Sequence, residues 1–252
     1  MKNVVVCPDR ETAGQRAAQA VAAAMRTAID ARGRARAIFA SAPSQSRMLA
    51  ALADQDGIDW SALDGFHMDE YLGIDMDHPQ AFGRWLEQNL PAGAVRTLER
   101  IRTDGDIEPE IARYTQILRR APIDISCVGV GVNGHLAFNE PHIAKLDDDV
   151  WMREVRLDEA SRRQQVDDGL FATLDAVPVT ALTLTIPALL SAQSIVCVVD
   201  GARKAEAVAA ALLGPVSSAL PASALRNHDN VTWFLDPAAA EHLPARLVRQ
   251  EA

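Results

Sequence analysis

Residues 123–141 read IDISCVGVGVNGHLAFNEP, an apolar run that passes directly into a glycine-rich polar loop. Residues 123–130 have the length and the β-branched content of a strand that is buried on both faces. The glycines of the loop allow sharp turns and expose backbone N–H groups to an anionic oxygen. Open α/β sheets bind ligands just outside the carboxyl ends of such strands. The stretch therefore predicts an α/β fold with a ligand-binding loop here.

The rest of the chain alternates between apolar β-rich runs and alanine-rich helical runs. Further strands are predicted at residues 4–7, 35–40, 61–68, 153–157, 181–185, 194–199 and 231–235. Helices are predicted at residues 11–32, from a loop at 41–46 to about 55, and at 79–90, 108–119, 160–171, 187–192, 203–213 and 237–242. This order is typical of βαβ units. It predicts one Rossmann-like, three-layer domain over residues 1–252, with a mostly parallel sheet and helices on both faces.

Composition narrows the class of protein. The chain of 252 residues is 48% apolar and 23% charged and carries a net charge of −9. This negative charge argues against nucleic-acid and membrane-surface partners, which are polyanions. No apolar run approaches the roughly 20 residues of a membrane span, and the first apolar run is too short for a signal peptide. Its three cysteines fall in predicted strands, which favours a reducing compartment. We expect a cytoplasmic protein.

The spacing Gly129-x-Gly131-x-x-Gly134 matches the dinucleotide-binding fingerprint literally, but its context does not. In that fingerprint the third glycine opens a long helix. Here Pro141 follows too soon for such a helix to continue. We therefore predict no nicotinamide cofactor, and we assign Gly131 and Gly134 to substrate binding.

Groups that can transfer protons follow two of the predicted strands. His135 lies in the glycine-rich loop, and Glu140 is close enough to hold its imidazole tautomer. Residues 66–71 read FHMDEY, and in an extended chain Asp69 and Glu70 point to opposite sides. At most one of the two carboxylates would face a ligand. The alternative for this segment is a strand end that opens into a solvated loop.

A phosphate site is predicted between the second strand and the next helix, where residues 41–46 read SAPSQS. Hydroxyls and free N–H groups at a helix N-terminus bind phosphate. The alternative is that the serines only cap the helix. Lys204 could add a positive charge to the same phosphate, although an ordinary surface lysine would look the same.

Residues 68–71 (MDEY) and 131–141 (GVNGHLAFNEP) resemble the two signature loops of the glucosamine-6-phosphate deaminase family. The similarity extends to the order of elements and to residues 201–204 (GARK). It implies a three-layer α/β fold. It also implies an enzyme of amino-sugar metabolism that converts an aldose amino-sugar phosphate into a ketose phosphate and ammonia without a metal or a cofactor. The related 6-phosphogluconolactonases share the fold and a similar glycine–histidine loop.

The resemblance also implies roles for individual residues. Asp69 matches the base that moves a proton from C2 to C1, His135 the group that opens the sugar ring, and Glu140 its carboxylate partner. Asn133 stands at a position that carries aspartate or asparagine in the family. The phosphate contacts that the resemblance implies come from Ser41, Ala42, Pro43, Ser44, Gln45 and Lys204.

The sequence departs from the family pattern in two places. Pro43 and Gln45 replace part of a phosphate loop that is richer in glycine and threonine in better-known members. The run at residues 161–167 differs from the usual arginine-rich helix start, so Arg162 or Arg163 would have to supply the substrate arginine. No match to allosteric residues is recognisable, and a homo-oligomer is possible.

Four readings of the function stay open. The first is deamination of glucosamine 6-phosphate to fructose 6-phosphate and ammonia. The second is the same reaction on another epimer such as galactosamine 6-phosphate, which the altered loop favours. A 6-phosphogluconolactonase-type hydrolase and a non-catalytic sugar-phosphate sensor are the remaining two.

Overall fold

The computed structural model describes residues 3–91, 93–167, 169–247 and 249–250. Its strands are β1 (Asn3–Val6), β2 (Ala35–Phe39), β3 (Leu63–His67), β4 (Asp69–Tyr71), β5 (Thr97–Glu99), β6 (Ile125–Val128), β7 (Met152–Arg156), β8 (Thr180–Leu184), β9 (Ser194–Val199), β10 (Val231–Leu235) and β11 (Arg249–Gln250). Its helices are α1 (Arg10–Arg32), α2 (Pro43–Ala53), α3 (Phe82–Asn89), α4 (Ile107–Arg119), α5 (Glu159–Asp167), α6 (Ile186–Leu190) and α7 (Ala205–Leu213).

Eight strands form the main sheet in the order β11-β1-β10-β9-β6-β2-β3-β5, and each neighbouring pair is parallel. One face packs against α1, α2 and α3, and the other packs against α4, α6 and α7. Alternate residues of a strand serve the two faces, as Ile38 and Phe39 of β2 do. The predicted three-layer α/β fold with a mostly parallel sheet is confirmed.

The longest helix shows how local sequence sets the bounds of an element. Asp9 accepts a hydrogen bond from the backbone N–H of Thr12, which caps the start of α1. Gly33 ends the helix in the left-handed conformation, with φ +70°. Between these caps, small residues such as Ala17 and Ala22 are wholly buried. They let α1 approach the sheet and α2 closely.

A second sheet was not predicted. It is antiparallel, has the order β4-β8-β7, and begins only one residue after β3 ends at His67. The prediction ended the third strand at residue 68 and left Asp69 at the start of a loop; instead, Asp69 opens β4 and pairs with Thr183 of β8. A three-residue strand carries no periodicity, and its partner lies more than a hundred residues further along the chain.

Two other predictions were wrong in detail. Residues 237–242 form turns and no helix, because Asp236 accepts hydrogen bonds from Gly201 and Ala239 and so fixes the turn. The predicted loop at residues 41–46 is largely helical, since α2 already begins at Pro43. Proline suits the first helical position because its missing N–H would have no helical partner there.

Candidate active site

Four neighbouring strands, β9, β6, β2 and β3, end at the same edge of the main sheet. The segments that follow them carry the residues singled out in the sequence. Contacts tie these segments together: Gln45 donates from Nε2 to the carbonyl of Val198 in β9 at 3.4 Å. A Cβ added to Gly129 would lie 3.4 Å from Nε2 of Gln45 and 3.5 Å from Oγ of Ser44. The start of α2 and the glycine-rich loop are therefore neighbours.

The N-terminus of α2 faces this edge without a side-chain cap. Ala42 is the extended residue before the helix, so none of the three serines at residues 41–46 caps it. The alternative that these serines only cap the helix is therefore wrong. Ser41 donates to the carbonyl of Phe82 at 3.2 Å, and Pro43 is exposed. Ala42 and Ser44 are partly exposed. A helix N-terminus of this kind offers N–H groups and a positive dipole end to an anion.

Lys204 approaches the same edge from the end of β9. Gly201, at φ +87°, turns the chain there, and its N–H donates to Asp236 at 3.0 Å. A short 3₁₀ turn, Ala202–Lys204, then leads into α7. Lys204 is partly exposed.

Glycine is required beside His135 for reasons of space. A Cβ on Gly131 would lie 2.4 Å from three atoms of the His135 imidazole, so only a bare backbone leaves room for the ring. Gly131 also donates to the carbonyl of His135 at 3.0 Å, which closes the loop. Gly134 adopts φ +83° and packs against Leu220, where a Cβ would come within 2.4 Å. Both glycines shape the loop around the histidine.

Glu140 is wholly buried and is held at both carboxylate oxygens. Oε2 accepts a hydrogen bond from Asn133, and Oε1 accepts one from Ser161 at 2.6 Å. Nδ1 of His135 lies 3.3 Å from Oε1, although the two atoms are poorly aligned for a hydrogen bond. Burial alone would raise the pKa of Glu140, but the hydrogen bonds and the charge of His135 outweigh it and lower the pKa to about 2.

Asp69 is also buried, with 7% of its surface exposed, but its surroundings shift its pKa in the opposite direction. Burial, and secondly the neighbouring charge of Glu70, raise its pKa well above the usual value. Glu70 points elsewhere and accepts hydrogen bonds from the N–H groups of Tyr71, Phe82 and Gly83, which fixes the start of α3. Of the two adjacent carboxylates, Glu70 is structural.

The second sheet brings Asp69 and the histidine loop together. Thr183, which pairs with Asp69, accepts a hydrogen bond from the N–H of Phe138 at 3.1 Å. Next to it, Leu184 accepts a hydrogen bond from the side chain of Asn139 and donates its own N–H to Met68. The structure thus joins the two signature segments through β8.

Three residues at this edge were not found from the sequence. His67 is fully buried; its Nδ1 donates to the carbonyl of Asp69, its Nε2 accepts from Ile101, and burial lowers its pKa to about 4. Thr183 and Ser161 contact the site from elements far along the chain. No motif marks either residue, so only the fold could reveal them.

The two candidate arginines on α5 are both engaged. Arg162 donates to the carbonyls of Leu174 and Val177, which lie in the segment after α5. Arg163 forms an exposed ion pair with Glu159 on its own helix. The structure therefore supplies no arginine from α5 that is already directed at the other site residues.

The two cavities described do not contain the Asp69–His135 region. One, of about 700 Å³, lies between α4 and residues 149–152. The other, of about 470 Å³, is lined by residues 142–143, 156–159, 162 and 179. Among the residues described, no three histidine, cysteine or acidic side chains form a group that could hold a metal ion. No helix in the described ranges is long and apolar enough to cross a membrane.

Comparison with known proteins identifies the family. Residues 8–233 match the family of glucosamine-6-phosphate isomerases and 6-phosphogluconolactonases. A glucosamine-6-phosphate deaminase of Streptococcus pneumoniae is 36% identical over 196 residues, which cover 73% of this chain and 77% of that protein. The chain belongs to this family. A relative from Streptococcus equi subsp. zooepidemicus, with the same name, is 35% identical over 74% of this chain and 78% of its own.

Solved structures agree with this assignment. A monomeric glucosamine-6-phosphate deaminase superposes with a TM-score of 0.86 at 28% identity, over 96% of this chain and 99% of that one. The 6-phosphogluconolactonase of Thermotoga maritima superposes with a TM-score of 0.73 at 18% identity, over 94% of this chain and 100% of that one. The second likeness concerns the fold alone. The predicted family is confirmed, and carbohydrate metabolism is the setting that its members share.

Proposed function

We propose that the protein deaminates an amino-sugar 6-phosphate, with glucosamine 6-phosphate and water as substrates and fructose 6-phosphate and ammonia as products. The observation that carries the proposal is the buried Asp69, joined through Thr183 to the loop of His135. The pKa of Asp69 is raised, whereas the pKa of Glu140, the carboxylate beside His135, is lowered. Two carboxyl groups with pKa values shifted in opposite directions suit acid–base chemistry. Relatives named glucosamine-6-phosphate deaminase support the same substrate class.

Ring opening is the first step, because a pyranose conceals the aldehyde that makes C2–H acidic. His135 takes the proton of the C1 hydroxyl and returns one to the ring oxygen as the C1–O5 bond breaks. The neutral form of its imidazole is the one that can accept this proton. Nδ1 lies 3.3 Å from Oε1 of Glu140, so Nε2 is the nitrogen that would act on the sugar.

Proton transfer from C2 to C1 follows. Asp69 removes the C2 proton, the C–H electron pair forms the C1=C2 double bond, and O1 takes a proton from the substrate's ammonium to give an enol. The same carboxyl then delivers its proton to C1. C2 then becomes an iminium, water adds to it, and ammonia leaves from the resulting carbinolamine. A carboxyl whose pKa is raised by burial matches this task better than an ordinary aspartate.

Orientation comes from the phosphate. The N-terminus of α2, with Ser41, Ala42 and Ser44, and Lys204 at the end of β9 lie at the edge that carries Asp69 and His135. Gly131 and Gly134 shape the loop, and Pro43 and Gln45 set the form of the phosphate site. Anchoring a substrate at a distance from its reacting carbons contributes several kcal/mol in favourable cases, of order 7–11 at most.

A panel of hexosamine 6-phosphates with detection of released ammonia tests the proposal. Glucosamine 6-phosphate should release ammonia and yield fructose 6-phosphate in equal amounts. Glucose 6-phosphate, which has no amine, should bind without releasing ammonia. Absence of ammonia with every free amino sugar in the panel would contradict the proposal.

A second candidate is the same reaction on another epimer, such as galactosamine 6-phosphate. The reason to test it is the altered loop, in which Pro43 and Gln45 stand in a segment that is richer in glycine and threonine in better-known members of the family. The ratio of kcat/KM for the two epimers decides between them.

The same panel separates two further readings. Hydrolysis of 6-phosphogluconolactone without ammonia from any amino sugar would indicate a lactonase. Stabilisation by sugar phosphates without turnover would indicate a sensor.

A further inference from the structure

Ser161 contacts the carboxylate of Glu140 from α5, the helix that also carries Arg162 and Arg163. It lies in the first turn of α5, where its N–H donates to Asp158 at 2.5 Å and fixes the start of the helix. Its side chain is buried, and its hydroxyl donates to Oε1 of Glu140 at 2.6 Å. This is the oxygen that also faces Nδ1 of His135.

A buried carboxylate beside an imidazole creates a difficulty. An opposite charge within about 4 Å favours the imidazolium form. An imidazolium cannot take the proton of the C1 hydroxyl, because both of its nitrogens are already protonated. A histidine that must act as a base near neutral pH therefore needs a partner carboxylate whose negative charge is partly offset by another hydrogen-bond donor.

We infer that Ser161 is a positioning residue that fixes Glu140 against His135 and, by donating to Oε1, takes up part of the carboxylate's negative charge. The imidazole is then oriented by Glu140, and the reduced charge on Oε1 favours its neutral, basic form. The catalytic use of a neutral His135 rests on the proposed function. The effect of Ser161 on the protonation of His135 does not depend on it.

Removal of the Ser161 hydroxyl should take away the hydrogen bond to Oε1 of Glu140 and leave the bond to Oε2 in place. Asn133 still donates to Oε2, so the carboxylate stays in place. Oε1 is then left with His135 alone. Its full charge acts on the ring, and the imidazolium gains stability.

Two arginines on the elements packed around the loop are engaged elsewhere. Arg162 of α5 donates to the carbonyls of Leu174 and Val177. Arg226, in the segment that packs on Gly134, donates to the carbonyls of Leu212 and Gly214. Asp69 of β4 has a raised pKa, first because of burial and secondly because of the charge of Glu70. Glu140 is the carboxylate in contact with the ring.

Steady-state kinetics separate this role from a merely structural one. Ser161→Ala should lower kcat/KM by up to about threefold on the acidic side of the profile, because a midpoint raised by about 0.5 unit reduces the neutral fraction of His135 by at most that factor. The loss should shrink towards pH 8.5, because there the histidine is neutral in both proteins. KM should stay within about twofold, and Ser161→Thr, which keeps the hydroxyl, should retain the wild-type pH profile. A loss that is equal at all pH values would contradict the inference.

A matched serine supplies the control. The hydroxyl of Ser194 donates to the carbonyl of Asp124 at 3.0 Å, at the amino end of β9 and far from the site along that strand. Ser194→Ala should leave the pH profile unchanged.

Titration of His135 by NMR in the free protein is the decisive experiment, with the resonance assigned through its loss in His135→Gln. Ser161→Ala should raise the titration midpoint by about 0.5 unit or more, since one unit corresponds to about 1.4 kcal/mol. Ser161→Thr should titrate as the wild type does. Ser161→Cys, which keeps the volume but donates weakly, should shift in the same direction and serves if the alanine variant folds poorly.

An unchanged or lowered midpoint in the folded alanine and cysteine variants would overturn the inference. Because this titration needs no substrate, its result is independent of the ammonia assay, whose failure would count against the proposed function alone.

Discussion

Two buried carboxylates at one edge of the sheet differ in what surrounds them. Glu140 accepts hydrogen bonds from Asn133 and Ser161 and contacts His135, so its pKa falls to about 2. Asp69 lies buried on β4 beside Glu70, and its pKa rises well above the usual value. Burial acts on both in the same direction. The donors that reach Glu140 make the difference, and they suit it to orient a base while Asp69 is suited to accept and return a proton.

The largest expected effect comes from Asp69→Asn. We expect kcat to fall by about 10³-fold or more, within the range of a lost general acid–base group, while KM stays within a few-fold. The measurement is ammonia release at saturating substrate.

The stability of the same variant sharpens the comparison. A raised pKa means that wild-type stability falls as the pH rises from about 3.8 towards the folded pKa, because the folded protein retains a proton that the unfolded chain has lost. Asp69→Asn should therefore flatten the decline of the free energy of unfolding over this range. Retained activity together with an unchanged pH dependence of stability would remove Asp69 from its role.

Glu140→Gln should cost less activity, about 10²-fold, because Gln still fills the site but its amide attracts Nδ1 of His135 only weakly. Its pH dependence should have the opposite sign to that of Asp69. The lowered pKa contributes stability that is present above about pH 4.5 and is lost as the pH falls towards 2.

Acid unfolding monitored by circular dichroism checks this sign. The wild type should lose stability below pH 4.5 more steeply than Glu140→Gln does. Parallel acid transitions in the two proteins would show that Glu140 is not held as an anion.

Gly131→Ala should lower kcat/KM by about 10-fold, since the added Cβ would come within 2.4 Å of the His135 ring and displace it. Gly105→Ala is the matched control, because its Cβ would meet no atom within 4 Å. If both variants are equally active, the ring does not need the space beside Gly131.

The smallest effect concerns Tyr71, two residues after Asp69. Its hydroxyl is buried without a hydrogen-bond partner, so Tyr71→Phe should leave the melting temperature unchanged or raise it by about 2–4 °C. Tyr114→Phe provides the contrast, because that hydroxyl donates to the carbonyl of His67 at 2.8 Å and its loss should lower the melting temperature. Equal decreases of the melting temperature in both variants would contradict the assignment of a hydrogen bond to the hydroxyl of Tyr114 and none to that of Tyr71.

The surroundings of Glu140 were easier to predict from the sequence than those of Asp69. The histidine loop is local: His135, Glu140 and Asn133 lie within eight residues, and glycines reveal the turn. The parallel sheet also follows from the alternation of apolar runs. The family resemblance added the roles of Asp69 and Lys204, which spacing alone could not supply.

The surroundings of Asp69 could not be read in the same way. β4 has three residues, and its partner Thr183 lies on β8, so no local pattern reports the pairing. Ser161 reaches Glu140 across 21 positions, and a single serine at a helix start resembles an ordinary cap. Contacts of this kind follow from the fold.

A structure of the protein with a reduced, open-chain analogue of the hexosamine 6-phosphate tests the central claim most directly. We predict that the Asp69 carboxyl lies within about 3.5 Å of C1 or C2 and that the His135 imidazole lies beside the oxygens of C1 and C5, with the phosphate at the start of α2. An analogue bound with its C1–C2 end away from Asp69, or in a cleft that excludes His135, would contradict the account.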